Sequence, residues 1–252
     1  MADGMWTALS GLRMRQQRMD NIANRLANAN TVGFRRQVHL NREHRSSPEH
    51  VIVEQAPADM ALRNLPGDHV MVRSDGTQIR EEEGAFNHTG RPLDLALLGT
   101  KGYFMIEGEQ GAELLTRDGR FKISPEGQLQ TIDGAAVLGE GGTISLPQDA
   151  DPKTIAVLPN GELQIGDTVA GKLRLGYAEP QTLQAMGANR FRSADIAPAV
   201  DIEVSQGYQE QSTVNAVQAM VDLIESHRGF DANMKLLTSY KELDQEAIQL
   251  LK

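Results

Sequence analysis

Two stretches with the spacing of an amphipathic helix stand at opposite ends of this 252-residue chain, and each carries only one narrow apolar stripe. Such a helix needs a partner to be stable. From Met5 to about Ala29, the residues Met5, Leu9, Leu12, Met19, Ile22 and Leu26 recur at threes and fours. With Gln16 filling one place the seam approaches the 3.5-residue repeat of paired helices. Asp3 suits the N-cap, and Gly33 just past the run suits a stop. From about Ser212 to Leu250 the pattern returns, first in Val214, Val217, Val221 and Ile224, then less regularly in Met234, Leu237, Leu243 and Ile248. Gly229 costs about 1 kcal/mol against alanine inside a helix, so a local break is expected there. The two seams predict a helical pair drawn from the two ends of the chain.

Between them the texture changes. Residues 85–200 hold most of the glycine and proline, and their apolar runs are short. The spans Leu93–Leu98, Tyr103–Ile106, Gln128–Ile132, Thr143–Leu146, Thr154–Leu158, Glu162–Ile165 and Lys172–Tyr177 read as strands. Turn signals separate them: Asp118-Gly119, Pro125-Glu126-Gly127, Asp133-Gly134 and Pro159-Asn160-Gly161. Gly127-Gln128-Leu129-Gln130 is echoed by Gly161-Glu162-Leu163-Gln164, which predicts two similar hairpins. Residues 35–84 are polar with little periodicity and read as an extended connector or arm.

Charge is distributed unevenly. Residues 1–45 carry eight arginines against three acids, and residues 198–252 carry four basic residues against nine acids. Unlike ends attract, within one chain or between copies. Nucleic acid is not an expected partner, because the whole chain has a net charge of −9 and phosphate polymers repel it. No stretch approaches the ~20 apolar residues of a membrane helix, so direct membrane insertion is not expected. Arg13, Arg15, Gln16, Gln17 and Arg18 interrupt any secretory signal. The chain is expected either to stay inside the cell or to leave by a route that does not read such a signal.

No constellation for catalysis emerges, and no cofactor or metal is expected. The absence of cysteine removes thiolate chemistry and Cys-ligated metals. His39, His44 and His50 lack the three- or four-residue spacing of helical ligands. Ser226 and His227 are adjacent on a predicted helix, so their side chains point apart. Gly139-Glu140-Gly141-Gly142 is followed by neither Lys-Ser/Thr nor a helix, and reads as a turn rather than a phosphate cradle. Asp149 and Asp151 stand among prolines as a polar turn, and Glu81-Glu82-Glu83 reads as solvated surface.

The segment Asn24-Arg25-Leu26-Ala27-Asn28-Ala29-Asn30-Thr31-Val32-Gly33-Phe34-Arg35 closely resembles the signature that opens bacterial flagellar rod and hook proteins. Its chemistry is intelligible: asparagines bond a fraying helix end, Gly33 can take positive φ, and Phe34 anchors the turn. The likeness continues through Thr89–Leu97, Gly102-Tyr103-Phe104, Thr116–Phe121, Gly127–Thr131, Val137–Gly139, Ile144–Pro147, Gly207–Val214 and Met220–Phe230, in the family's order. Arg25, Thr213 and His227 depart from the usual Asn, Asn and Gln. In length, and in the short connector before Thr89, the chain most resembles the proximal-rod type, with the distal-rod type next.

The resemblance implies a structural subunit of the basal-body rod, not an enzyme. Its implied partners are copies of itself, other rod and hook axial proteins and the flagellar type III export apparatus. The expected fold class is α+β: a discontinuous helical assembly region (1–34 with 207–252), the connector (35–84) and a central mainly-β domain (85–206). Met5, Leu9, Leu12, Met19, Ile22, Leu26, Val214, Val217, Val221, Ile224 and Leu237 are the expected assembly interface. Asn24, Leu26, Ala27, Asn28, Thr31, Gly33 and Phe34 form the expected helix-exit motif. Outside this class stand a soluble binding module with a finished helical bundle and a murein-acting enzyme, for which no convincing acid pair is present.

Overall fold

The computed structural model describes residues 2–46, 69–147, 152–166, 168–200 and 202–250. The fold is α+β, with a helix at each end and many short antiparallel strands between. It divides into two compact units.

The first unit contains most of helix α1 (Ala2–Ala27) and helix α2 (Ala216–Leu250). The helices lie antiparallel: Gly11 faces Asn233, and Gly229 faces Arg15. α2 runs through Gly229 without the expected break. The reason is tertiary, because a Cβ at Gly229 would collide with the Arg15 guanidinium and glycine leaves room for it. The covered face of α2 carries buried Ala219 and Ser226, with half-buried Leu223, Phe230, Asn233 and Leu237. These positions alternate by fours and threes, the geometry of a coiled-coil seam. On α1, Leu12 and Ile22 are buried, Met19 and Leu26 half-buried, and Leu9 exposed.

Part of the expected connector is regular. Strands β1 (Gln37–Ser46) and β2 (His69–Ile79) pair as a two-stranded ribbon. Apolar periodicity does not announce such a ribbon, because mutual backbone pairing is what satisfies its strands.

The second unit, Arg25–Val38 with Gln78–Ala216, is the β domain. After β3 (Phe86–His88) come β4 (Leu95–Leu98), β5 (Tyr103–Glu107), β6 (Glu113–Thr116), β7 (Phe121–Ile123) and β8 (Leu129–Thr131). β5 and β6 lie inside a six-stranded sheet, flanked by Arg190–Arg192 next to β6 and Leu175–Tyr177 next to β5. β5 is apolar at every position from Tyr103 to Ile106 because both of its faces are covered. Phe104 and Ile106 enter a large core with Leu95, Leu97, Phe121, Leu129 and Leu163, while Tyr103 and Met105 enter a smaller one with Leu115 and Phe191. Edge-to-face ring contacts join Phe104 to Phe121 at 5.1 Å and Tyr103 to Phe191 at 5.8 Å.

The two echoed segments form matching turns. Ser124 N–H bonds Gln128 C=O and Gly127 N–H bonds Ser124 C=O; Leu158, Glu162 and Gly161 repeat both bonds at the same offsets. Gly127 and Gly161 take φ of +82° and +83°, the left-handed position such turns require. Each turn delivers a leucine, Leu129 or Leu163, into the same core.

Candidate functional site

The exit from α1 is built from short polar bonds. Asn28 and Ala29 N–H groups bond the carbonyls of Arg25 and Leu26, both at 3.2 Å. Asn28 then accepts from Thr31 twice, through its carbonyl at 3.1 Å and its side-chain oxygen at 3.2 Å. Asn24 and Ala27 stand on the exposed side of the last turns, and Leu26 is half-buried. Gly33 has φ +69°, and a Cβ there would come within 2.5 Å of the Arg117 carbonyl carbon and oxygen. Val32 and Phe34 on either side are buried anchors.

From Thr31 to Arg36 the chain is held like a peptide in a groove of the β domain. Asn189 Nδ2 bonds the Val32 carbonyl at 2.9 Å, and Gly33 N–H bonds the Glu210 carbonyl at 2.7 Å. Thr213 N–H bonds the Phe34 carbonyl at 3.0 Å, and Arg36 N–H bonds Thr213 Oγ1 at 2.9 Å. The Glu81-Glu82-Glu83 run, at the surface, takes part here as well. Glu82 pairs with Arg36 at 2.6 Å, and Glu83 accepts from Gly99 N–H at 2.7 Å.

Beneath this segment lies a buried charge cluster that motif reading did not reveal. Arg35, Arg117 and Glu210 are essentially inaccessible to solvent. Glu210 Oε1 accepts from Arg35 Nη2 at 3.2 Å and from Gly84 N–H at 3.1 Å, and Oε2 lies 3.3 Å from Arg117 Nη1. Arg35 also donates to the Thr100 carbonyl at 3.0 Å; Arg117 donates to the carbonyls of Leu97 at 3.0 Å and Gly99 at 2.6 Å. Burial, then repulsion from Arg35, pushes the Arg117 guanidinium down to about 10, with Glu210 opposing. It therefore stays charged at neutral pH, over the Tyr103 ring. Burial pushes the Tyr103 phenol up. One carboxylate thus serves two guanidiniums in a site closed to water. Arg35 and Arg117 both lie in segments that resembled the family signature, but no spacing rule links Arg35 to a glutamate 175 residues away.

Buried Asp94 performs a similar tie nearby. It accepts from Thr89 Oγ1 and Gln209 Nε2, each at 2.7 Å, and so joins the Thr89–Leu97 segment to the Gly207–Val214 segment.

The expected interface residues divide. Val214 and Leu12 are buried, Met19, Leu26 and Leu237 are half-buried, and Val217, Val221 and Ile224 are 72%, 53% and 55% exposed. Met220, 50% exposed, joins the exposed set. The side chain of Met5 lies outside the described residues, as do those of His39, His44 and His50, and Asp149 and Asp151. α2 therefore covers a mixed face of small, polar and large residues (Ala219, Leu223, Ser226, Phe230, Asn233, Leu237) and leaves Val217, Met220, Val221 and Ile224 to solvent. Ser226 and His227 do point apart: Ser226 is buried, whereas His227 is exposed beside Asp231 at 3.2 Å. Glu140 pairs with Lys172 at 2.6 Å beside its turn.

Three family models match along the chain. Residues 5–35 match the flagella basal body rod protein model, 98–165 the D1 domain of flagellar hook protein FlgE/F/G, and 205–250 the C-terminal region of flagellar basal body rod FlgEFG proteins. The flagellar basal-body rod protein FlgF of Salmonella typhimurium is 33% identical over 268 residues, covering all of this chain and 99% of its own. The chain belongs to the flagellar basal-body rod protein family. FlgF of Escherichia coli is likewise 33% identical, over 265 residues, across all of this chain and 99% of its own. FlgG of Agrobacterium fabrum is 30% identical over 253 residues, 94% of each chain. This protein is accordingly a structural, non-enzymatic subunit of the flagellar basal-body rod. Arg35, Arg117 and Glu210 fall one in each of the three segments that match rod-family models.

Proposed function

We propose that this rod subunit polymerises through its terminal helices and, in the assembled rod, transmits torque from motor to hook. The outward stripe of α2 carries this reading. Val217, Met220, Val221 and Ile224 are at least half exposed, and their spacing puts them on one face near the start of the helix. Covering each half-exposed side chain contributes about 1 kcal/mol, so a neighbouring helix laid along the stripe gains several kcal/mol. The basic first helix and acidic second helix then favour contacts between unlike ends of adjacent copies, each exposed pair adding only about 0–1 kcal/mol.

The partners on this reading are copies of the chain and other rod and hook axial proteins, and export runs unfolded through the flagellar type III apparatus. A proximal, FlgF-type position is favoured by the short segment before Thr89 and by end-to-end matches to FlgF proteins. The 30% identity to a FlgG protein supports a distal-rod position as the second reading.

The decisive experiment replaces Ile224 with Asp. The purified variant should keep the wild-type fold, because the site is exposed, while the protein fails to enter the rod and cells do not swim. Normal swimming overturns the reading. Position is read by complementation: swimming should return to a strain lacking its FlgF and not to one lacking its FlgG.

A further inference from the structure

Glu210 touches more of the chain than any single sequence motif suggests. Its carbonyl holds Gly33, and its carboxylate holds Arg35, Arg117 and Gly84. Those contacts gather the segment leaving α1, the β6–β7 connection and the stretch that follows β2. Glu210 itself lies a few residues before α2 begins at Ala216. We propose that Glu210 is the positioning residue of the rod subunit, the group that docks the exit segment 31–36 on the β domain and so fixes where the chain leaves α1 and where it enters α2.

The charge count makes this an asymmetric device. Glu210 and Arg117 alone form a balanced buried pair, and Arg117 has further acceptors in the Leu97 and Gly99 carbonyls. Docking of residues 31–36 brings in Arg35 as a second cation, whose partners are the same carboxylate and the Thr100 carbonyl. Loss of Arg35 leaves one anion with one cation. Loss of the carboxylate leaves two buried cations repelling each other, which is the costly way to break a buried pair. Although both changes break one and the same Arg35–Glu210 contact, they are not equivalent.

The test uses the full-length chain with Glu210→Gln, Arg35→Met and the double variant. Hydrogen exchange is read by segment, and swimming is read in cells. Glu210→Gln keeps the size of the side chain and an acceptor for Gly84, so the β domain stays folded. It should speed exchange in residues 31–36 at least tenfold, with residues 103–107 unchanged, and abolish swimming. Arg35→Met should leave exchange in 31–36 within about threefold of wild type. In the double variant, removal of Arg35 should reverse much of the Glu210→Gln effect. Equal damage from Arg35→Met and Glu210→Gln overturns the proposal, as does acceleration spread equally over 103–107. The swimming readout rests on the assembly reading above, whereas the exchange readout does not. Normal swimming of Ile224→Asp with selective release of 31–36 in Glu210→Gln would refute that reading and leave Glu210 as the docking residue.

Discussion

Substituting Gly33 by valine is expected to cost the β domain about 2–6 kcal/mol, and the figure can be built from two separable parts. The first is conformational. Gly33 sits at φ +69°, where a β-branched residue is strained by about 1–3 kcal/mol. The second is steric. A Cβ at Gly33 lies 2.5 Å from the Arg117 carbonyl carbon and oxygen and 2.8 Å from the Asp118 nitrogen, all backbone atoms that cannot swing aside. Forcing them apart adds about 1–3 kcal/mol and stretches the 2.7 Å bond from Gly33 to Glu210. Gly134 separates the two parts, because it has φ +90° with no heavy atom within 4 Å of an added Cβ. Gly134→Ala should therefore show the conformational cost alone, about 1–2 kcal/mol. Urea titration of the full chain, with segment-resolved hydrogen exchange, measures both. Gly33→Val should lower the midpoint further than Gly134→Ala, accelerate exchange first in residues 31–36, and impair assembly. Equal costs at the two sites refute the close-approach argument, and unimpaired assembly refutes the link between this turn and the rod.

Other substitutions probe the remaining parts. Leu12→Asp puts a charge on the covered side of α1 and should loosen the helical pair in the isolated chain as well as block incorporation; helicity by circular dichroism is the measurement. Phe104→Ala empties a fully buried site against Phe121 and should destabilise the β domain by about 3–5 kcal/mol in denaturant titration. In dilute solution, hydrogen exchange should be slow in 85–200 and fast in both terminal helices, since their outward stripes await partners; uniform protection in a monomer would instead favour a finished bundle. At high pH the two shifted groups act oppositely. Tyr103 has a raised folded-state pKa, so its contribution is present below the ordinary phenol value of 10 and is lost as pH rises through the raised one. Arg117 is lowered, so its burial penalty is relieved as pH rises above about 10 toward the ordinary guanidinium range. Tyr103→Phe should consequently lose less stability than wild type between pH 7 and pH 11 in urea titrations.

Much of the architecture was legible in the residue pattern. Spacing by threes and fours marked both helices, and Pro- and Gly-containing turns marked the strands of the middle. The echo of Gly127–Gln130 in Gly161–Gln164 foretold two hairpins whose hydrogen bonds match. The exit motif also foretold a positive φ at Gly33. These features are local: each depends on backbone preferences and on side chains a few positions apart.

What the pattern did not contain is which surfaces meet. Hydropathy picked out Val217, Val221 and Ile224 as a seam, yet the pair within the chain closes through Ala219, Ser226, Gly229 and Asn233 together with Leu223, Phe230 and Leu237. Small residues admit close approach of two backbones, and a scale that scores apolar area passes over them. Gly229 read as a break because its cost to an isolated helix is local, whereas its use, as room for Arg15, exists only once α1 lies alongside. The Arg35–Glu210–Arg117 cluster is the extreme case. Ordinary surface charges become a buried, mutually dependent set only when segments up to 175 residues apart converge. By itself the sequence determined the helices, the turns and the family, because those rest on short-range periodicity and backbone chemistry. Tertiary structure alone decided the covered faces and the charge pairing, because burial is a property of the folded neighbourhood rather than of any residue.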